Sequence, residues 1–128
     1  MKSTPILLGL LAMNALGAPR ISEFMADNLA AYEDDQEAFS DWIEIHNPDA
    51  DTASMGGWFL TDDPDELQKW AFPSAAKVPA DGYLVVHASG LNLKGLFAKT
   101  YHTNFSLRSG GEYLALVDPD GNVIHDFM

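Results

Sequence analysis

Beyond residue 19 the chain reads as short apolar bursts of four to seven residues, cut by clusters of Pro, Asp, Asn and Gly. No stretch sustains the 3.6-residue apolar period of an amphipathic helix, and this narrows the fold more than any other feature. Candidate strands are Arg20 to Met25, Asp41 to His46, Gly57 to Thr61, Lys69 to Phe72, Gly82 to Ala88, Asn104 to Leu107, Glu112 to Val117 and Asn122 to Phe127. Several alternate: Trp42, Glu44 and His46 point one way, Ile43 and Ile45 the other. Between them stand Asn47-Pro48-Asp49, Asp62-Asp63-Pro64-Asp65, Pro79-Ala80-Asp81-Gly82 and Asp118-Pro119-Asp120-Gly121. In such clusters Pro presets φ, Asp hydrogen-bonds its own backbone and Gly accepts positive φ. The last cluster joins two strands into a hairpin. About eight short strands at this spacing predict an all-β sandwich, with Ile43, Ile45, Leu60, Phe72, Leu84, Val86, Leu114 and Leu116 facing a common core. Two longer connections remain. The acidic segment from Ala26 to Ser40 has room for a helical turn, and Ser89 to Thr103 carries two lysines.

The chain has 128 residues, enough for one domain, and it contains no cysteine. Disulfides, thiolate metal sites and a cysteine nucleophile are thereby excluded. Asp and Glu number 19 against 7 Lys and Arg. Sequence-independent affinity for nucleic acid rests on basic residues, so nucleic acid is not an expected partner and neither is an anionic membrane. A cationic partner or a divalent cation suits this balance better.

Residues 1–18 have the layout of a secretory signal peptide. Met1-Lys2 gives a positive start, Ile6 to Ala12 an apolar run, and Ala15-Leu16-Gly17 a small-x-small cleavage pattern. The rival reading is an amphipathic first helix. The run is too short, and too interrupted by Asn14, to span a bilayer. The expectation is an exported protein, extracellular, periplasmic or on the cell surface, whose mature domain covers residues 19–128.

Eight stretches, in order, resemble a known family. Ile21-Ser22-Glu23-Phe24-Met25-Ala26-Asp27-Asn28 looks like the opening strand of a lamin tail domain. Asp41-Trp42-Ile43-Glu44-Ile45-His46-Asn47-Pro48 is similar to that family's strand of the form D-W-[IV]-E-[IL]-x-N-P. Gly57 to Asp63, Trp70 to Pro73, Gly82 to Val86, His102 to Leu107, Gly111 to Leu116 and Asp118 to Gly121 complete the series. The resemblance implies an immunoglobulin-like β-sandwich with no catalytic residue. Such domains form the globular tail of nuclear lamins in animals, and in bacteria occur on exported proteins, where they tether or recognise. Members usually continue past the final hairpin with another strand. The resemblance therefore leaves open a fragment of a longer product or a sandwich that closes differently.

His46, His87, His102 and His125 show no metal-ligand spacing and read as structural. No nucleophile elbow and no phosphate-binding glycine loop is present in the sequence. The best candidate ligands for calcium are Asp62, Asp63 and Asp65, since crowded carboxylates are hard oxygen donors. Asp118 and Asp120 rank second, because Asp118-x-Asp120-x-Asn122 copies only the first half of an EF-hand loop. The plainer readings, a solvated acidic loop and a hairpin turn, are favoured in both cases. Trp42, Trp58 and Trp70 are expected in the core rather than in an exposed stacking row. Asn104-Phe105-Ser106 fits a glycosylation sequon, but no glycan is expected because Asn104 is read as opening a strand.

The expected function is that of a non-catalytic binding or tethering module, acting through loops and a sheet edge on a protein, cell-surface or carbohydrate ligand. The alternatives are a metal-assisted hydrolase, or an accessory part of one, and a structural component of an envelope assembly.

Overall fold

A computed structural model describes residues 17–26, 40–95, 100–107 and 113–128. Residues 1–16, most of the segment expected to be a signal peptide, and most of the acidic connection, residues 27–39, lie outside the described residues.

The described chain is built from strands, ten in all: β1 (Arg20–Met25), β2 (Asp41–His46), β3 (Ala53–Ser54), β4 (Phe59–Thr61), β5 (Trp70–Ala71), β6 (Lys77–Val78), β7 (Tyr83–Ala88), β8 (Tyr101–His102), β9 (Leu114–Val117) and β10 (Val123–Phe127). One sheet has the order β1-β2-β7-β8 and the other β10-β9-β4-β5, while β3 and β6 form a small ribbon. Pairings are antiparallel except β7 with β8, which is parallel. This is an immunoglobulin-like β-sandwich. Among the described residues no helix is long and apolar enough to cross a membrane.

The inner faces follow the alternation in the sequence. Ile43 and Ile45 of β2 are fully buried, opposite Phe24 and Ile21 of β1 and Val86 and Leu84 of β7. Leu60, Trp70, Phe72, Leu114 and Leu116 meet them from the second sheet. Leu84 faces the core as expected but is only half-buried, since it stands near the start of β7. β9 is buried along its whole length, Ala115 and Val117 included, as suits an unbroken apolar strand flanked by β4 and β10.

Turn chemistry sets the registers. Asp118 closes the β9–β10 hairpin, accepting the amides of Asp120 and Asn122 at 3.0 and 2.8 Å on Oδ1. Gly121 takes the φ of 88° that the turn requires.

One expected strand is absent. The segment from Asn104 to Leu107 has only an isolated bridge, between Ser89 and Ser106. Side-chain bonds hold its polar groups instead, one local and one to a distant loop: the Thr103 hydroxyl donates to the Phe105 carbonyl at 2.7 Å, and the Asn104 side-chain amide to the Lys69 carbonyl at 2.9 Å. Asn104 is thus exposed in a bend and does not open a strand. The strand forms just upstream, at Tyr101–His102.

Candidate functional site

The candidate calcium ligands fall at opposite ends of the second sheet. Asp62, Asp63 and Asp65 lie in the β4–β5 loop, beyond Thr61, whereas Asp118 and Asp120 lie in the β9–β10 turn; the β4–β9 register runs from Phe59–Val117 to Thr61–Ala115 and so keeps them apart. Each loop has its own internal order. The buried Thr61 hydroxyl donates to the Glu66 carbonyl at 2.7 Å and accepts the Asp63 amide at 3.0 Å. The Asp63 carboxylate accepts the Asp65 amide at 2.9 Å. Asp62 pairs with Lys69, Oδ1 to Nζ, at 2.7 Å. That hydrogen bond, more than any other influence, holds the Lys69 ammonium above its ordinary pKa range, against the opposing effect of burial. At the other end the Asn122 amide is the foremost of several donors that hold the Asp118 carboxyl below the usual carboxylate range.

The register brings together two histidines that stand far apart in the sequence. His87 and His102 pair across β7 and β8, with ring centroids 5.2 Å apart and both side chains buried. The Ser40 hydroxyl lies 3.4 Å from His87 Nδ1, and the Ser89 hydroxyl 2.8 Å from His102 Nδ1. Ser89 Oγ also accepts the Leu91 amide at 3.1 Å, so this hydroxyl belongs to a turn as well as to the histidine. Among the described residues no three His, Asp or Glu side chains gather as a metal would require.

The tryptophans form no exposed row. Trp70 is in the core, its indole N–H donating to Asn92 Oδ1 at 3.1 Å. Lys94 Nζ sits 5.0 Å from the centroid of the Trp70 ring, and burial pushes this ammonium below the ordinary lysine range. Trp58 packs against the core half-buried, and Trp42 is buried on the outer side of β2.

Among the described residues the most exposed aromatic is Tyr83, ahead of Phe24, and a buried asparagine organises the loops beside it. Asn47 follows β2 and is fully buried. Its Nδ2 donates to the carbonyls of Asp51, Val78 and Pro79 at 2.8, 3.1 and 3.1 Å, and its Oδ1 accepts the Asp49 amide at 3.1 Å. Two backbone bonds, Asn47 N–H to Gly82 O at 3.0 Å and Asp81 N–H to Asp49 O at 2.9 Å, complete the clamp between the 47–51 and 78–82 loops. Asp81 takes a left-handed φ of 49°, which its short polar side chain tolerates. Its Oδ1 lies 3.2 Å from His46 Nε2. The His46 ring stacks on Tyr83 with centroids 4.5 Å apart and 22° between planes, and Tyr83 remains 56% exposed.

These side chains occupy the outer face of the first sheet. One cross-strand row is Arg20–His46–Tyr83, and the next is Glu23–Glu44–Val85. Ser22, beside a register shift in β1, donates its hydroxyl to Glu44 Oε1 at 2.7 Å. An exposed ring rimmed by carboxylates is suited to holding a ligand by stacking and charge. None of this was picked out in the sequence, because Arg20, His46 and Tyr83 become neighbours only through the pairing of three strands.

The family model of the Lamin Tail Domain matches residues 13–127, up to the last strand. No curated protein matches the chain.

Proposed function

We propose that this chain, which belongs to the lamin tail domain family, is a non-catalytic binding or tethering module that works outside the cytoplasm. One observation carries the reading: among the described residues, the acidic loops and the serine–histidine pairs that could do chemistry are engaged in holding the fold. Asp62 pairs with Lys69, Asp63 and Asp118 cap turns, and Ser89 and His102 hold each other under the sheet surface. Contact with a ligand then falls to the loops, to the open face around Tyr83, and to the edge strand β10, where Val123 and Ile124 are exposed. Affinity in such an interface comes from a few aromatic anchors inside a polar rim. Export rests on the layout of residues 1–18, of which all but Gly17 and Ala18 lie outside the described residues. Fractionation of the producing organism, with mass spectrometry of the recovered chain, tests both halves. The expected product begins at about residue 18 and is found outside the cytoplasm, associated with the envelope or a secreted partner. A cytosolic chain retaining Met1 contradicts the proposal.

Calcium enters this proposal only as a weak ligand of the Asp62, Asp63, Asp65 loop, with the Asp118–Asp120 turn second. The Lys69 ammonium already neutralises Asp62, and a few carboxylates supply fewer than the six oxygens calcium takes, so the expected affinity is no tighter than about 0.1–1 mM. Melting curves in about 0.15 M salt, which screens diffuse attraction, should show a small calcium-dependent rise that disappears in an Asp62→Asn, Asp63→Asn double variant. An equal rise in both proteins, or none in either, removes calcium from the account.

A further inference from the structure

We infer that the outer face of the first sheet, between Tyr83 and the Glu23–Glu44 pair, docks an arginine-rich extended segment of a protein partner. The inference rests on the binding role proposed above and gives that role a place and a partner chemistry.

Three observations converge on a cation. Glu23 and Glu44 are direct cross-strand partners on neighbouring strands. Like charges in that position destabilise a sheet, and among the described residues neither has an ion-pair partner; Glu44 has only the Ser22 hydroxyl. A cation laid across this face would relieve the repulsion. Second, the Tyr83 ring has one face fixed against His46, while β8 pairs only with Val86 and His87, so no described strand pairs with Tyr83 on its far side. A ring held in a fixed plane with an open face is a stacking surface for a planar guanidinium. Third, the carboxylate of Asp81 is 86% exposed beside the stack, and the chain as a whole carries a net charge of -12.

Spacing favours an extended segment over a single ion. Tyr83 and Glu44 are diagonal neighbours across β2 and β7, about 7–8 Å apart at their Cα atoms. Alternate side chains of an extended peptide project to one side about 6–7 Å apart. One arginine can therefore stack on Tyr83 while the next but one reaches Glu44 and Glu23. Arg20 ends the Tyr83 row beyond His46 and confines the cationic contact to the Tyr83 side. The preference for arginine over lysine follows from the ring: an ammonium gains from the carboxylates, whereas a guanidinium gains from the carboxylates and the stack.

The test uses the full chain with acetylated, amidated octa-arginine and octa-lysine as probes, titrated calorimetrically in about 0.15 M salt. Octa-arginine is expected to bind about two- to five-fold more tightly than octa-lysine. Tyr83→Ser should erase that preference while leaving the melting temperature near wild type. A Glu23→Gln, Glu44→Gln pair should weaken both peptides, and an Asp65→Asn, Glu66→Gln pair at the far loop should not. Equal binding of the two peptides to the wild type overturns the inference. So does an arginine preference that survives Tyr83→Ser, equal weakening by both carboxylate pairs, or no binding. If the chain attaches to its envelope or partner while the peptides fail, only the docking face is wrong. If the peptides behave as expected and the chain attaches to nothing outside the cell, the tethering role fails and the face stands.

Discussion

Ile45→Asp is expected to abolish the folded state. Ile45 is fully buried in β2, paired with Ile21 on one side and Leu84 on the other, at the middle of the apolar layer between the sheets. Losing the isoleucine side chain alone removes about 2–5 kcal/mol. The incoming carboxylate meets no cation in that layer, and an unpaired buried charge costs several kcal/mol more. A domain of this size is stable by about 5–15 kcal/mol in total, so the sum consumes most or all of it. Far-ultraviolet circular dichroism and urea titration should find no cooperative transition. The exposed Ser54→Asp change is the matched control and should leave the transition where it is.

Asn47 is expected to show the next largest effect, through unmade hydrogen bonds rather than lost apolar area. Asn47→Ala strips partners from the carbonyls of Asp51, Val78 and Pro79 and from the Asp49 amide in one step. Buried groups left without partners cost about 1–3 kcal/mol each, and with water reaching the partly exposed ones a total of about 2–4 kcal/mol is expected. Asn47→Asp should be worse. It keeps the acceptor but replaces the donor that the three carbonyls share with a negative oxygen. Denaturant midpoints will rank wild type above alanine above aspartate. The reverse order of the two variants, or an alanine loss under about 1 kcal/mol, would mean that the clamp does not hold the loops.

Asn47 also marks the limit of what could be read in the sequence. Its place after the D-W-I-E-I-H run, followed by Pro48, was legible as a family pattern and as a turn. The reason for an asparagine was not, because two of its acceptors, the carbonyls of Val78 in β6 and of Pro79 just after it, lie far along the chain. The long strands were legible because period-two burial and turn chemistry coincide: Asp41–His46 agrees to the residue with β2, and Arg20–Met25 with β1. Three of the four two-residue strands, β3, β6 and β8, carry no periodicity of their own and exist through their partners. Asn104–Leu107 looked like a strand because Phe105 and Leu107 alternate. Both residues are buried, yet the side-chain bonds of Thr103 and Asn104 stand where ladder bonds were expected.

The same division governs the candidate site. Acidic clusters are visible along the chain, so Asp62, Asp63, Asp65, Asp118 and Asp120 stood out. Their internal bonds to Thr61, Lys69 and Asn122 appear only in the fold. The Tyr83 stack and the Glu23–Glu44 opposition are products of strand order and register. Local sequence does not determine which strands become neighbours.

The role proposed for this lamin tail domain is surface recognition. Its most direct test is the binding of the purified full chain to isolated envelopes of the producing organism, measured against chain concentration. Saturable binding that requires the folded state, absent for Ile45→Asp and accompanied by no release of envelope fragments, is the predicted result. Binding that fails to saturate, equal uptake of the unfolded variant, or release of cleaved envelope polymer by the chain alone would contradict it.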